Sequence, residues 1–274
     1  MDLSLETQQK LDVLSHWYAG RSGSIVAFSG GIDSTLALFL ARKYQGRERA
    51  IGVISRSESL KARDFDLARD FCQAFDIKLE VIRTRELEDE RYAQNPANRC
   101  FYCKQHLFVD IGTIAQSYPG FAVLSGANHD DLGDFRPGME AARKYDVLSP
   151  FVDCQVGKAE IREIARFFEL PNWDKPASPC LSSRIPYNQI VTAEKLQQIE
   201  AAEEILLAAG FSNARVRHYG NAARLEVPAD ELPALLDRQE QITTSIRALG
   251  FEHCEIDEEG LVSGKLNRAL GRQG

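Results

Sequence analysis

The stretch SIVAFSGGIDSTLALFLARKY, residues 24–44, decides the fold. It begins with a short apolar run typical of a buried strand, turns at SGG, and continues with apolar residues at helical spacing. Further strands are predicted at AIGVIS from Ala50, at IKLEVIRT (77–84) and at FAVLSG near Phe121. Helices are predicted at 3–20, at 60–75 and from Lys104. This alternation predicts an α/β fold with a parallel sheet and helices on both faces.

The pattern changes after about residue 188. TAEKLQQIEAAEEILLAAGF predicts a long helix that Thr192 caps and Gly210 ends. ARVRHYG and ARLEV alternate like short strands, and a second helix is expected to end at Gly250. The order αββαββ predicts a small α+β domain. We therefore expect one domain over residues 1–188 and a smaller one over 189–274, which binds substrate or mediates oligomerisation.

The hexapeptide SGGIDS is the strongest candidate site. Gly30 and Gly31 let the backbone approach an anion, and the helix N-terminus directs N–H groups towards it. Ser29 and Ser34 add hydroxyl donors. Asp33 would repel a bare phosphate, so we expect it to act through Mg²⁺ or a water molecule. The alternative is a glycine turn with a serine cap and no ligand.

A second polar segment, SGANHDD, begins at Ser125 and follows another predicted strand. Parallel sheets bind ligands beyond the carboxyl ends of their strands. We therefore expect Gly126, Asn128 and Asp131 to contact the nucleotide or Mg²⁺. A turn stabilised by Asx side chains is the alternative. Lys104 is expected near the phosphates, or otherwise as an exposed lysine.

Composition narrows the class of protein. The net charge is −7, and neither half of the chain has an excess of basic residues, which argues against a nucleic-acid partner. No apolar run approaches the roughly 18 residues of a membrane span. The N-terminus lacks a signal pattern, and six cysteines then argue against a disulfide framework. We expect a cytoplasmic protein that does not contact a membrane.

The hexapeptide resembles the PP-loop of the ATP pyrophosphatases, and the Walker pattern GxxxxGK[ST] is absent around this turn. This resemblance implies an adenine nucleotide alpha-hydrolase-like (HUP) domain that cleaves ATP to AMP and pyrophosphate. RCFYCK (99–104), SGANHDDLGDFRPG (125–138) and DKPASPCLSSRIPY (174–187) resemble the LarE family. That family contains ATP-dependent sulfur transferases of nickel-pincer nucleotide biosynthesis, and the resemblance also implies a homo-oligomer.

The LarE resemblance assigns sulfur chemistry to Cys180. It implies that ATP adenylates a carboxylate of a pyridinium dicarboxylic acid mononucleotide, and that the Cys180 thiolate displaces AMP. Breaking the Cβ–S bond then leaves a thiocarboxylate and dehydroalanine. A thiolate needs a nearby cation, and Arg184 is the nearest candidate in the sequence. Arg184 could equally be an anchor at the surface.

Some LarE members carry an additional C-x-x-C, as this chain does at Cys100 and Cys103. Together with Cys180 they could hold a 4Fe–4S cluster whose fourth iron delivers sulfide. The alternatives are Zn²⁺ with a further ligand such as His106, a redox disulfide that regulates Cys180, and inert packing. Cys72 is expected in the core.

Arg215 and Arg217 lie two residues apart, and therefore on one face of a strand. Guanidinium groups match phosphate and carboxylate geometry, so both arginines, with Arg184, are candidates for substrate binding. A solvated strand face is the alternative. Three rival functions remain open: a tRNA thiolation enzyme, an amide-forming ligase that uses the same ATP site, and a nucleotide sensor without catalysis.

Overall fold

A computed structural model describes residues 2–133, 136–176, 178–262 and 264–271. It divides into two compact units, Met1–Glu86 with Asn98–Ser178, and Leu87–Ala97 with Pro179–Gly274. The domain boundary expected after residue 188 stays a prediction. In chain order the elements are α1 (Leu5–Ala19), β1 (Ser24–Ala27), α2 (Ile32–Gln45), β2 (Ala50–Ser55), α3 (Ala62–Ala74), β3 (Lys78–Ile82), α4 (Glu90–Ala93), α5 (Arg99–Ala115), β4 (Ala122–Leu124), α6 (Pro137–Lys144), α7 (Pro150–Asp153), α8 (Lys158–Phe167), α9 (Ala193–Ala208), β5 (Arg215–Tyr219), β6 (Ala222–Glu226), α10 (Leu232–Asp237), α11 (Gln239–Arg247) and β7 (His253–Ile256).

The first unit is built on a four-stranded sheet in the order β3-β2-β1-β4. All three strand pairs are parallel, and Ser24 pairs with Ala50 on one side and Ala122 on the other. Each strand lies within a stretch predicted from the sequence. The predicted α/β class is therefore confirmed, and the carboxyl ends of all four strands meet at one edge.

Helices cover both faces of this sheet. Ile25 and Ala27 pack in an apolar layer with Phe108 of α5, whereas Val26 packs in the opposite layer with Leu36 of α2. Successive strand residues point to opposite faces, which explains why β1 is buried along its whole length.

One helix differs from its prediction. α5 was expected from Lys104 but begins at Arg99, so that Cys100 and Cys103 lie inside its first turns. The segment RCFYCK contains no glycine or proline that would stop a helix, and Asn98 precedes it. The two thiols are thus carried one turn apart on one face of a helix rather than in a loop.

The second unit packs three helices against a small sheet. β5 pairs antiparallel with β6, and β6 pairs parallel with β7. Thr192 caps α9 as predicted, and Gly210 follows it with a φ of +94°. The helix expected to end at Gly250 is divided at Arg238 into α10 and α11. Among the described residues a single strand, β7, follows it, rather than the two of an αββ repeat.

The second unit has its own apolar core, which includes Leu206, Val216, Leu225 and Ile246.

No helix in the described part of the chain is both long enough and apolar enough to cross a membrane.

Candidate functional site

The loop between β1 and α2 is held by its own serines. The Ser34 hydroxyl donates to the Gly31 carbonyl at 3.0 Å and accepts from the Ser29 N–H at 3.2 Å. Gly30 has a φ of +72°, a conformation that favours glycine. No described side chain caps α2. The first N–H groups of this helix are therefore available to an anion, as the sequence predicts.

Gly126 follows β4 and lies against the start of α2. A Cβ atom at this position would lie 2.6 Å from the Ser34 nitrogen and 2.9 Å from its Cα. Real Cβ atoms do not approach backbone so closely, so only glycine fits without a shift of the loop. Gly126 thus brings the end of β4 against the glycine loop.

These segments enclose a cavity of about 370 Å³, a size typical of small-molecule sites. It is lined by groups from three segments, including Ser29, Asp33, Gly126, Asp131, Cys100 and Lys104. The exposed Cys100 thiol therefore faces the same cavity as the glycine loop. Arg136 also lines it, so two cationic side chains lie beside the predicted phosphate site.

The polar segment after β4 is built as a turn. Asn128 is only 4% exposed, and its side-chain oxygen accepts from the Asp130 N–H at 3.0 Å. Asp131 accepts from the Asn128 N–H at 3.0 Å and pairs with Arg136 at 2.8 Å. The Asx turn weighed as the alternative is therefore present. Asp131 nonetheless lines the cavity, and contact with a nucleotide stays a prediction for both residues.

Two residues that sequence reasoning missed contact the loop directly. Lys158, the first residue of α8, places its Nζ 2.6 and 2.7 Å from the two carboxylate oxygens of Asp33. The Asn172 amide donates to the Gly30 carbonyl at 3.1 Å and to the Thr35 hydroxyl at 2.9 Å. Both lie more than a hundred residues from the loop along the chain, and no local motif marks either one.

Asp64 of α3 holds the segment that follows Asn172. Its carboxylate accepts from Lys175 Nζ at 2.7 Å and from the Ser178 hydroxyl at 2.8 Å. Burial by itself would raise the pKa of Asp64, but these two hydrogen bonds and the charge of Lys175 outweigh it and keep the pKa below its usual value. The segment is therefore attached to the first unit up to Ser178.

Cys180 is exposed and begins a short 3₁₀ turn over Leu181–Arg184 in the second unit. Arg184 is 1% exposed and lies 2.7 Å from Glu203. Its guanidinium also donates to the carbonyls of Pro179 at 2.8 Å and Cys180 at 3.3 Å. These contacts favour a role in fixing the backbone of the Cys180 loop. Whether Arg184 also activates the thiol or binds substrate stays a prediction.

The segment Leu87–Ala97 also contacts this loop through two side chains. The Tyr92 and Ser182 hydroxyls lie 2.6 Å apart. The Asn95 amide donates to the carbonyls of Ile185 at 3.1 Å and Pro186 at 2.8 Å. Asn95 is fully buried, so these bonds replace those that water would make.

The two predicted strand arginines have different surroundings. Arg217 is paired with Glu226 at 2.9 Å and donates to the Ser183 carbonyl at 2.8 Å. Arg215 is 6% exposed, and within the described residues its side chain makes no hydrogen bond or ion pair. Burial and the nearby charges of Arg184 and Arg217 lower its pKa. Arg215 is thus a buried cation with donors available for an anion.

Of three further thiols, Cys72 and Cys154 are buried in the core and Cys254 is partly buried. Burial raises the pKa of Cys72 to about 12 and those of Cys154 and Cys254 to about 11, which makes all three poor nucleophiles. Over residues 2–133, 136–176, 178–262 and 264–271, no three His, Cys, Asp or Glu side chains are grouped so that they could hold a metal ion.

Comparisons with known proteins give a consistent result. A family model described as NAD synthase matches residues 12–98, which contain the glycine loop. The chain is 36% identical over 265 residues to the uncharacterized protein slr1717 of Synechocystis sp., covering 96% of this chain and 98% of that protein. It is 32% identical over 245 residues to the pyridinium-3,5-bisthiocarboxylic acid mononucleotide synthase of Lactiplantibacillus plantarum, covering 89% of each. It is also 30% identical to the protein MJ0830 of Methanocaldococcus jannaschii, covering 86% of this chain and 89% of that protein.

Proposed function

Because the chain belongs to the LarE family of PP-loop enzymes, as its motifs predict, we propose that it makes a thiocarboxylate for the nickel-pincer nucleotide. The substrate is a pyridinium dicarboxylic acid mononucleotide, and the sulfur acceptor is one of its carboxylates. The observation that carries this proposal is the 32% identity to a bisthiocarboxylic acid mononucleotide synthase over 89% of both chains.

The first step activates the carboxylate. A carboxylate is a poor electrophile, so its oxygen attacks the α-phosphorus of ATP, an acyl-adenylate forms, and pyrophosphate leaves. The glycine loop, with Ser29, Ser34 and the start of α2, is suited to the phosphates. Asp33 and Asp131 line the cavity and offer the oxygen ligands that Mg²⁺ prefers, so they fit the cation that accompanies ATP.

The second step transfers sulfur from Cys180. Its thiolate attacks the acyl carbon, AMP leaves, and a thioester forms. Removal of the Cα proton of Cys180 and cleavage of its Cβ–S bond then leave a thiocarboxylate on the substrate and dehydroalanine in the protein. Arg184, which binds the Pro179 and Cys180 carbonyls, positions this loop.

A second route spares the protein. Cys100 and Cys103 lie one turn apart on α5, so they could supply two ligands of a 4Fe–4S cluster, and Cys180 of the other unit could supply a third. When bound, such a cluster could supply sulfide from the iron without a protein ligand. Cys100 lines the nucleotide cavity, which supports a sulfur role for this pair rather than inert packing.

Arg215 supports binding of the anionic substrate. All three members of the cluster formed by Arg184, Arg215 and Arg217 are buried, but within the described residues Arg215 forms no ion pair, and Glu226 and Glu203 attract its charge only from a greater distance. We expect it to bind the substrate phosphate or the second carboxylate, with Arg217 beside it. We further propose that the protein acts in the cytoplasm as a homo-oligomer.

The test is turnover of anaerobically purified protein with ATP and the pyridinium dicarboxylic acid mononucleotide. We expect AMP, pyrophosphate and a thiocarboxylate product. Loss of about 34 mass units (H₂S) from Cys180 would identify the sacrificial route. About four iron atoms per chain, lost in Cys100→Ser and Cys103→Ser, would identify the cluster route.

Cys180→Ser should form the acyl-adenylate but no thiocarboxylate, and Cys254→Ser is the matched control thiol. Production of ADP instead of AMP would refute the adenylation. Thiocarboxylate formation by Cys180→Ser at the wild-type rate would refute the role of Cys180. Tight tRNA binding would favour the tRNA thiolation enzyme, and an amide product with ammonia would favour the ligase.

A further inference from the structure

The segment 172–176, which leads towards Cys180, is bound to the first unit along its length. At its start the Asn172 amide donates to the Gly30 carbonyl at 3.1 Å and to the Thr35 hydroxyl at 2.9 Å. Further along, Arg162 of α8 donates to two backbone carbonyls of the segment at 3.1 and 3.3 Å. The backbone of this segment is therefore fixed rather than left as a free loop.

Asp64, near the start of α3, attaches the end of the same segment. Its carboxylate accepts from Lys175 Nζ at 2.7 Å and from the Ser178 hydroxyl at 2.8 Å. Asp64 is only 9% exposed, so water competes little for these bonds, and Lys175 supplies the opposite charge that a buried carboxylate requires. Asp64 thus holds the last residue before the Pro179–Cys180 pair by a charged hydrogen bond.

The helix that carries Asp64 rests on the glycine loop. A Cβ atom at Gly30 would lie 3.2 Å from the Asp64 carbonyl oxygen and 3.2 Å from the Ala68 Cβ. The backbone at Gly30 therefore packs directly against the first turns of α3. Because both ends of the segment are attached at or beside the glycine loop, its position is tied to that of the predicted phosphate site.

The connection from this anchor to the thiol is short and stiff. Only Pro179 separates Ser178 from Cys180. Consecutive Cα atoms are about 3.8 Å apart, so the Cα atoms of Ser178 and Cys180 can be separated by at most about 7.6 Å. Pro179 fixes its own φ and disfavours helical conformations at Ser178. A displacement of Ser178 is therefore passed on to Cys180.

We propose that Asp64 is a positioning residue for sulfur transfer, which acts through Lys175 and Ser178 to hold Cys180 in place for its reaction with the acyl-adenylate. This inference rests on the proposed function. Asp64 gives and takes no proton, and the bonds that form and break are those of the sulfur transfer described above. Fixing a reacting group in advance removes the entropy cost of finding its target, and a misplacement of about 1 Å can slow a reaction about a hundredfold.

Separate measurement of the two chemical steps tests the inference. Exchange of pyrophosphate into ATP with the mononucleotide present reports adenylation, and mass spectrometry of a single turnover reports thiocarboxylate formation. In Asp64→Asn the exchange rate should change less than about twofold, whereas thiocarboxylate formation should slow at least about tenfold. Asp64→Glu, which keeps the charge, should restore part of this rate. Asp66→Asn is the matched control, because Asp66 is exposed on the same helix and pairs with Arg69, and it should change neither step.

Two further variants test whether Asp64 acts through its partners. Lys175→Met should slow thiocarboxylate formation and spare exchange, and Ser178→Ala should do the same to a smaller extent. The double variant of Asp64→Asn with Lys175→Met should be no slower than the slower single variant, because both substitutions remove one ion pair. Two effects that multiply would show that Asp64 does not act through Lys175.

The outcomes separate this inference from the function on which it rests. Equal slowing of both steps in Asp64→Asn, or no slowing of thiocarboxylate formation, would overturn the positioning role while the proposed function stood. Should Asp64→Asn not fold, Ser178→Ala decides alone, because it removes one hydrogen bond at an exposed residue, and a wild-type rate of transfer would then overturn the inference. Wild-type protein without any pyrophosphate exchange would refute the proposed function, and the inference with it.

Discussion

The two charged regions of this chain hold their charges in different ways. The glycine-loop site offers backbone N–H groups, two serines and a partly exposed ion pair, Asp33 with Lys158. The arginine cluster, Arg184, Arg215 and Arg217, buries its charges almost completely. The backbone and serine donors of the first region are neutral, and its ion pair is partly exposed to water, so little buried charge has to be compensated. The second depends on Glu203 and Glu226 to offset buried cations, so we expect its stability to respond more strongly to mutation.

The largest expected effect is on stability in the arginine cluster. Glu203→Gln leaves the Arg184 guanidinium buried without a carboxylate and weakens the acceptor of the Val216 N–H. Breaking a buried pair in this way should lower the free energy of unfolding by about 3–5 kcal/mol. Urea unfolding measures it. Glu204→Gln, exposed on the same helix, is the control, and an equal loss in both variants would contradict the buried-pair account.

Acid should weaken the second unit before the first. His218 of β5 is 1% exposed, and burial lowers its pKa from 6.5 to about 4. The unfolded state binds the proton more tightly, so this contribution is complete above about pH 6.5 and is lost as the pH falls to about 4. The whole loss amounts to about 3 kcal/mol. In the first unit, the pKa values of Asp64 and Glu160 are lowered. The stability that these two carboxylates contribute is therefore lost only when the pH falls below the ordinary carboxyl pKa, about 4.

Unfolding measured between pH 7.5 and 4 tests this order. The wild type should lose stability across that window, and His218→Gln, which cannot take up the proton, should lose much less. Identical slopes in the two proteins would show that His218 does not control the acid response.

The sequence predicted the first region better than the second. The four strands and the glycine loop are local patterns, and each is present as expected. Asn172 and Lys158 are 142 and 125 residues away from their partners in or beside the loop, and no short-range pattern can reveal such contacts. Both contacts form only because the tertiary fold brings the start of α8 and the turn after this helix against the glycine loop.

The arginines show a second kind of limit. Alternation correctly placed Arg215 and Arg217 on one strand face, because side chains in a strand alternate with a period of two. It could not tell whether that face was solvated or buried. The answer depends on Glu226 of the neighbouring strand and on Glu203 of α9, which are paired with arginines only in the folded unit.

The next effect concerns ligand affinity at the glycine loop. In Gly126→Ala, the new Cβ would lie 2.6 Å from the Ser34 nitrogen, so the loop must shift. We expect ATP affinity to fall roughly a hundredfold, or about 2.7 kcal/mol. Isothermal titration calorimetry measures it. Gly112→Ala, on the exposed face of α5 with open space around it, should leave ATP binding unchanged and slightly stabilise the helix. Unchanged ATP affinity in Gly126→Ala would show that the loop tolerates the shift.

The smallest expected effect is the most informative about the arginine cluster. Burial and the charges of Arg184 and Arg217 outweigh the attraction of Glu226 and Glu203 and lower the pKa of Arg215, which forms no ion pair within the described residues. Arg215→Met keeps the volume of the side chain and removes one of three neighbouring cations. Stability should therefore stay constant or rise by about 1 kcal/mol, in contrast to the loss in Glu203→Gln.

Affinity for the substrate should change in the opposite direction from stability. If Arg215 is retained for an anion, Arg215→Met should lose affinity for the mononucleotide substrate while unfolding stays unaffected. Arg224→Met is the control, because Arg224 is a partly exposed strand arginine paired with Glu255. A loss of more than about 2 kcal/mol of stability in Arg215→Met would instead assign this arginine to the fold. A buried charge stabilises the folded state only where neighbouring opposite charges compensate it. The comparison of Arg215 with Glu203 thus separates charge that the fold requires from charge that the fold tolerates for a ligand.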